Sequence, residues 1–202
     1  MTRKANPEAR PSILAAAHKL FLQHGYHGVS VDEIAKAVGM KKANVFHYYP
    51  TKEELAFAVV CQAAEESKSK FFAECKGKKD PKRFVRALFD TRIRWMQSEE
   101  GASGNLIANF AQEVSGFNER LREKIAASMQ SWIDEISSMF TEAKSAGKLR
   151  RDFQPGQAAH AVLSMLEGAV LLAKAEKNVT ALRYAANAAI RYIEAMSTDE
   201  HR

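Results

Sequence analysis

The stretch Gly39-Met40-Lys41-Lys42-Ala43-Asn44-Val45-Phe46-His47-Tyr48-Tyr49-Pro50 gathers side chains that can read a nucleic-acid duplex. Lysine donates to the acceptor edge of guanine, asparagine matches the donor–acceptor pair of adenine, and a small apolar group such as Ala43 can meet a thymine methyl. Helical spacing sorts these residues. Val45 and Tyr49 are four apart and pack inward, which leaves Lys42, Ala43, Asn44, His47 and Tyr48 wholly or partly outward and Phe46 at the edge of that face. A short rod of this kind fits the major groove of double-stranded DNA. Asn44, Tyr48 and Lys52 are placed to hold phosphates, contacts that set register without conveying sequence. A solvated helical hairpin would show the same polar residues, so the reading depends on the elements that hold the rod.

Those elements carry their own signals. Ser30-Val31-Asp32-Glu33 has the form of a capping box, so a helix starts sharply at Val31 and runs to about Val38 with Ile34, Ala35 and Val38 inward. Gly39 follows, where a left-handed residue is cheap only for glycine. A third helix is predicted over Lys42 to Tyr48 and is stopped by Pro50. Before them, Glu8 to His24 reads as an amphipathic helix with Ile13, Leu14, Ala17, Leu20 and Phe21 on one face, closed by Gly25. Two short helices joined by a glycine turn and packed on a longer one describe a helix-turn-helix.

The rest of the chain is also helical in pattern, with no convincing strand alternation. Helices are expected from Lys52 to Cys75, Lys82 to Gln97, Asn105 to Ser115, Asn118 to Ser145, Pro155 to Lys177 and Thr180 to Ser197, separated by glycine, proline and asparagine breaks. The fold class is therefore all-α: residues 1–53 a helix-turn-helix DNA-binding module, joined by a long helix to a larger helical domain over residues 54–202. The 202 residues carry a formal charge of +6. Eight Lys or Arg against five Asp or Glu in the first sixty residues supply half of that surplus, which tilts the reading toward a polyanionic partner.

Several function classes find no support. His160 stands alone between alanines and the N-terminal histidines lack partners at metal-ligand spacing, so no catalytic residue, cofactor or metal is expected. Cys61 and Cys75 form no CxxC pair and read as small buried hydrophobes. No apolar run approaches the roughly 20 residues that cross a bilayer. The N-terminus, Met1 to Arg10, is polar and basic, and the expectation is a cytoplasmic protein without a membrane partner.

Gly25 to Leu55 resembles the DNA-binding module of the TetR family of bacterial regulators. The run from Gly39 to Leu55 is similar to that family's recognition-helix signature, and Phe21 to Gly28 to the end of its first helix. The resemblance implies base reading from Lys42, Ala43, Phe46 and His47, and phosphate clamping from Asn44, Tyr48 and Lys52. Lys41 stands where the family often has a capping serine, weakening that cap and adding a basic phosphate contact; Phe46 replaces a common tyrosine. Asn105 to Ala111 resembles a segment of a family subset in which a cysteine often occupies the Asn105 position.

The resemblance also implies a helical second domain with a small-molecule pocket and a homodimer interface. Trp95, Phe110, Met129, Trp132 and Met165 are candidate pocket residues for a largely apolar effector, with Asn109 and Glu113 placed to orient it. Plain core packing and a solvated stripe are the competing accounts of these residues. The last two helices are rich in small residues, as Ala158, Ala161, Gly168, Ala185 and Ala188 show, which suits a close two-fold helix pairing. Together these readings give a repressor released from operator DNA by a ligand. The alternatives are a helical enzyme or a protein-interaction bundle without specific DNA binding.

Overall fold

The computed structural model describes residues 8–99 and 101–198. The basic N-terminal stretch noted above therefore lies, up to residue 7, outside the described residues. The elements among the described residues are α1 (Ala9–His24), α2 (Val31–Ala37), α3 (Lys42–Tyr48), α4 (Lys52–Ala73), α5 (Pro81–Met96), α6 (Leu106–Val114), α7 (Glu119–Ser145), α8 (Pro155–Glu176) and α9 (Thr180–Ala195), with a 3-10 turn at Gly101–Ser103. No strand occurs among them; a lone bridge pairs Leu149 with Ser197. The all-α expectation holds, and each helix lies within two residues of its predicted bounds.

Local chemistry explains where the helices begin. The Ser30 hydroxyl accepts from the Glu33 N–H at 3.2 Å. In return the Glu33 carboxylate accepts from the Ser30 N–H at 2.7 Å, completing the reciprocal pair that a capping box requires. Thr51 Oγ1 accepts from the Glu54 N–H at 3.0 Å and starts α4 just after Pro50. Asp80 accepts from the Arg83 N–H at 2.8 Å. Pro81 follows in the first turn of α5, where its missing N–H costs nothing. Asn105 caps α6 by accepting from the Ile107 N–H at 3.0 Å, so the asparagine at the position noted above has a structural role of its own. Asn118 does the same for α7 through the Leu121 N–H at 3.0 Å.

The chain groups into two compact units, Met1–Glu66 with Asn105–Ala126, and Ser67–Gly104 with Ala127–Arg202. In the first, α1 packs on α2 and on α6, and α2 packs on α3. Its core holds Ile13, Phe21, Ile34, Val45, Leu55, Phe110 and Leu121, all almost fully buried. In the second, α9 packs against both α5 and α8 around Phe84, Leu88, Phe89, Phe140, Phe153, Val162, Leu166 and Ile193. Removing a large side chain from either core to alanine would cost about 2–5 kcal/mol.

One helix bears on the expectation that no apolar run approaches a membrane span. α8 has 22 residues and holds an 18-residue stretch of mean hydropathy 1.4, long and apolar enough by length and composition alone to cross a bilayer. The polar residues Gln157, His160, Ser164 and Glu167 interrupt it, so no unbroken apolar run of about 20 residues occurs there, as the sequence reading expects. Ala158, Ala159, Val162, Leu163, Leu166 and Ala169 are buried in the second unit's core, the usual place for such a face in a packed helical domain.

Candidate nucleic-acid interface

α3 is held by a glycine turn. Gly39 has a positive φ of 66°. The Gly39 and Met40 N–H groups donate to the carbonyls of Lys36 and Ala35 at 3.1 and 2.8 Å, closing α2 and redirecting the chain. Val45 is fully buried and Tyr49 is 5% exposed, the two anchors that the four-residue spacing predicts. Lys41, Lys42, Ala43, Asn44 and His47 are exposed, while Phe46 and Tyr48 are half-buried at the edges of that face. Lys41 occupies the N-cap position of α3 with no side-chain hydrogen bond to the helix, in line with the weakened cap expected there.

Charges on this face are partly engaged. Lys42 Nζ lies 2.7 Å from Asp32 Oδ2 of α2 and 6.0 Å from the Phe46 ring centroid. The rings of His47 and Tyr48 meet edge to face with centroids 5.4 Å apart, a geometry that aromatic quadrupoles favour. Lys52, expected to clamp a phosphate, is half-buried with its ammonium 4.4 Å over the Tyr26 ring, close enough for a cation–π attraction. Burial holds its pKa below the ordinary lysine value, with Glu113 and Glu33 acting in the other direction, because desolvation disfavours the charged form and nearby carboxylates favour it.

Arg10 was missed by sequence reasoning. Its guanidinium donates to the Tyr48 carbonyl at 3.3 Å and lies 5.1 Å from the Tyr49 ring centroid, so the start of α1 braces the end of α3. An arginine that opens an amphipathic helix gives no sign of which later residue it meets.

The seven residues expected around an effector divide between the units. In the first, Phe110 is fully buried and packs edge to face on Phe21 at 5.5 Å and on Tyr26 at 5.9 Å. Glu113 Oε2 accepts the His27 backbone N–H at 3.2 Å, and Asn109 is half-buried on the same helix. In the second, Trp132 is buried with its ring centroid 4.7 Å from Phe71 and 5.3 Å from Phe72. Trp95 is 36% exposed and donates from Nε1 to the Gly104 carbonyl at 3.4 Å, while Met129 and Met165 are half-buried. A separate open groove of about 430 Å³ runs beside Phe72, Cys75, Phe84 and Met139 under Lys78 and Lys148, and none of the seven lines it.

Arg92 and Glu167 in the second unit were also missed, though a signal existed. Leu88, Arg92 and Met96 follow at four-residue spacing, which puts an arginine on the inner face of α5. Arg92 is 5% exposed, and its Nη2 donates to Glu167 Oε1 at 3.2 Å. Desolvation by burial lowers its pKa from the ordinary value, opposed by the Glu167 charge, the two causes pulling in contrary directions as they must for a buried cation beside an anion.

Comparison with known proteins finds two family models. Residues 13–59 match "Bacterial regulatory proteins, tetR family", and residues 81–189 match "Tetracyclin repressor-like, C-terminal domain". The chain is 28% identical over 174 residues to the transcriptional regulator AcuR of Cereibacter sphaeroides, covering 83% of this chain and 77% of that one. It is 24% identical to the transcriptional repressor DhaR of a Mycobacterium species, covering 86% of each. A solved TetR transcriptional regulator from Chloroflexus aurantiacus superposes with a TM-score of 0.87 at 27% identity, covering 94% of this chain and 96% of that one.

Proposed function

Because this chain belongs to the TetR family of bacterial regulatory proteins, we propose that it is a homodimeric transcriptional repressor that leaves its operator when a small molecule fills its second domain. The observation that carries this reading is the face of α3: Val45 and Tyr49 are locked inward while Lys41, Lys42, Ala43, Asn44 and His47 stand exposed on a rigid rod. Such a rod presents donors and acceptors to the edges of bases in a major groove. Lys42, Ala43, Phe46 and His47 read base edges; Lys41, Asn44, Tyr48 and Lys52 hold phosphates. Lys52 reaches the backbone by leaving the Tyr26 ring. Residues 1–53 serve as the reading head and residues 54–202 as the effector-binding and dimerising part.

A single reading head contacts few bases, so two copies bind half-sites about 34 Å apart. Leu171 and Leu172 on α8 and Tyr184 on α9 support the pairing surface, being 53%, 52% and 70% exposed. Large apolar side chains left in solvent on neighbouring helices suit burial against a second copy. The chain acts by binding rather than by catalysis, in the cytoplasm, where its operator lies. The repressor sign follows the name of the related DhaR repressor.

The test is selection of bound sequences from a random or genomic DNA library with the purified protein. An enriched inverted repeat with half-sites one helical turn apart is expected, bound with an affinity that falls steeply as salt rises. A library returning no enriched repeat would remove the reading.

A further inference from the structure

α5 presents an apolar inner face of Phe84, Val85, Leu88, Phe89 and Met96, and in the middle of it lies Arg92. Its guanidinium carbon is 4.9 Å from the Phe71 ring centroid and 5.5 Å from that of Trp132. Methionine would fill such a position without the penalty of desolvating a charge, so packing alone gives no reason for an arginine here.

The hydrogen bonds of this guanidinium are incomplete. Nε and Nη2 form one edge of the planar group, a fork whose two parallel N–H bonds match the two oxygens of a carboxylate. Glu167 takes only Nη2, at 3.2 Å. That is longer than the roughly 2.7–2.9 Å of a well-formed charge-assisted bond. The adjacent Nε–H is buried and has no acceptor. Glu167 sits at the wetter side of the pair, its side chain 20% exposed against 6% for Arg92.

We propose that Arg92 anchors an effector bearing a carboxylate, which occupies the Nε and Nη2 fork with its apolar body against Phe71 and Trp132 and displaces Glu167 toward solvent. This deepens, and rests on, the reading of the second domain as the effector site. Exchange of one carboxylate for another conserves the buried charge balance while adding the hydrogen bond that Nε lacks. It also unties α5 from α8, the helix that carries the exposed Leu171 and Leu172. Effector occupancy is thereby coupled to the proposed pairing surface, since a ligand shifts an equilibrium by preferring one of two arrangements.

The full-length protein is titrated by calorimetry and by thermal shift with hexanoate, benzoate and phenylacetate, each beside its neutral amide. At least one acid is expected to bind with a Kd of about 1 mM or tighter and its amide about tenfold or more weakly. Arg92→Met should abolish that binding, and Arg92→Lys, which keeps the charge and loses the fork, should erase the preference for acid over amide. Glu167→Gln should tighten acid binding, because the competing carboxylate is gone. Circular dichroism checks that each variant is folded, and Arg92→Lys carries the test if Arg92→Met is not. Equal binding of acid and amide, undiminished binding by the arginine variants, or no acid binding at about 10 mM by protein that holds its selected operator overturns the proposal. Failure to select any operator instead removes the regulator reading and leaves the binding comparison standing.

Discussion

The Lys42 ammonium and the Asp32 carboxylate lie 2.7 Å apart, so a leading cation of the exposed α3 face is paired with α2 before any polyanion arrives. The side chains are 48% and 55% exposed. A pair so placed adds only about 0–1 kcal/mol to stability. Its effect falls on binding. Asp32→Asn is expected to change stability by less than about 0.5 kcal/mol and to strengthen DNA binding roughly threefold at low salt, because a negative charge facing phosphates is gone. The gain should fade at about 1 M salt, where the screening length falls to roughly 3 Å. Lys42→Ala should weaken binding and alter base preference. Fluorescence anisotropy across a salt series checks both; an unchanged affinity in Asp32→Asn at low salt would show that Lys42 does not face the duplex.

Ser30 and Glu33 predict a pH-dependent cap. Ser30→Ala should cost about 1 kcal/mol of stability through loss of the α2 cap. The backbone N–H and hydroxyl of Ser30 hold the Glu33 carboxyl below its ordinary pKa of 4.5, since hydrogen bonds donated to a carboxylate favour its charged form. A depressed carboxyl contributes stability above its unfolded value and loses it as pH falls through the lowered folded value. Thermal melts from pH 7 to pH 3 should therefore show the gap between wild type and Ser30→Ala narrowing in acid. A gap that widens there would contradict the cap.

Gly25 and Gly39 separate two kinds of glycine requirement. Gly39 has a φ of +66° with nothing within 4 Å of an added Cβ. Gly39→Ala should therefore cost about 1–2 kcal/mol, the left-handed penalty alone. Gly25 combines a φ of 75° with a ψ of 175°. That region is essentially closed to other residues, and Gly25→Ala should cost about 3 kcal/mol. Its added Cβ would also clash with Glu113 Oε1. Glu113 can swing aside by giving up the His27 N–H, so adding Glu113→Ala should recover less than about 1 kcal/mol of that loss. Urea unfolding of the three variants gives the ranking, and equal losses at the two glycines would refute it.

Much of this fold was legible because its signals are local. Ser30 with Glu33, Gly39, and the Val45 and Tyr49 pair each act within four residues, and together they placed α2, the turn and α3. Long-range pairing was not legible. Periodicity shows that Phe110 lies on an apolar face of α6, but not that it meets Phe21 in the last turn of α1 and Tyr26 just beyond it. The grouping of Asn105–Ala126 with the first unit depends on such contacts. Glu113 likewise reads as a polar residue beside an apolar stripe until His27 is found against it. Arg92 is the instructive case: its inward register could be read from Leu88 and Met96, whereas its pairing with Glu167 needed the fold.

The two cysteines should differ sharply in reactivity and in their effect on stability. Cys75 is 4% exposed, and its Sγ lies 3.8 Å from the Phe71 carbonyl oxygen. Burial pushes its pKa from 9.0 up to about 11, because an apolar surrounding disfavours the thiolate. The thiolate is the nucleophile, so native Cys75 stays inert near neutral pH while half-buried Cys61 reacts first with an aromatic disulfide reagent. The same shift has a thermodynamic consequence. Between about pH 9 and about pH 11 the unfolded chain releases the Cys75 proton and the native chain retains it, so stability falls as pH rises across that window. The slope can reach about 1.4 kcal/mol per pH unit, for a total on the order of 2 kcal/mol. Lysines and tyrosines titrate there too, but equally in a Cys75→Ala variant, so the difference between the two urea-unfolding series isolates the thiol. Wild type should lose stability faster than Cys75→Ala from about pH 9 to about pH 11; parallel curves, or two thiols reacting equally fast in the native protein, would show that Cys75 is open to water.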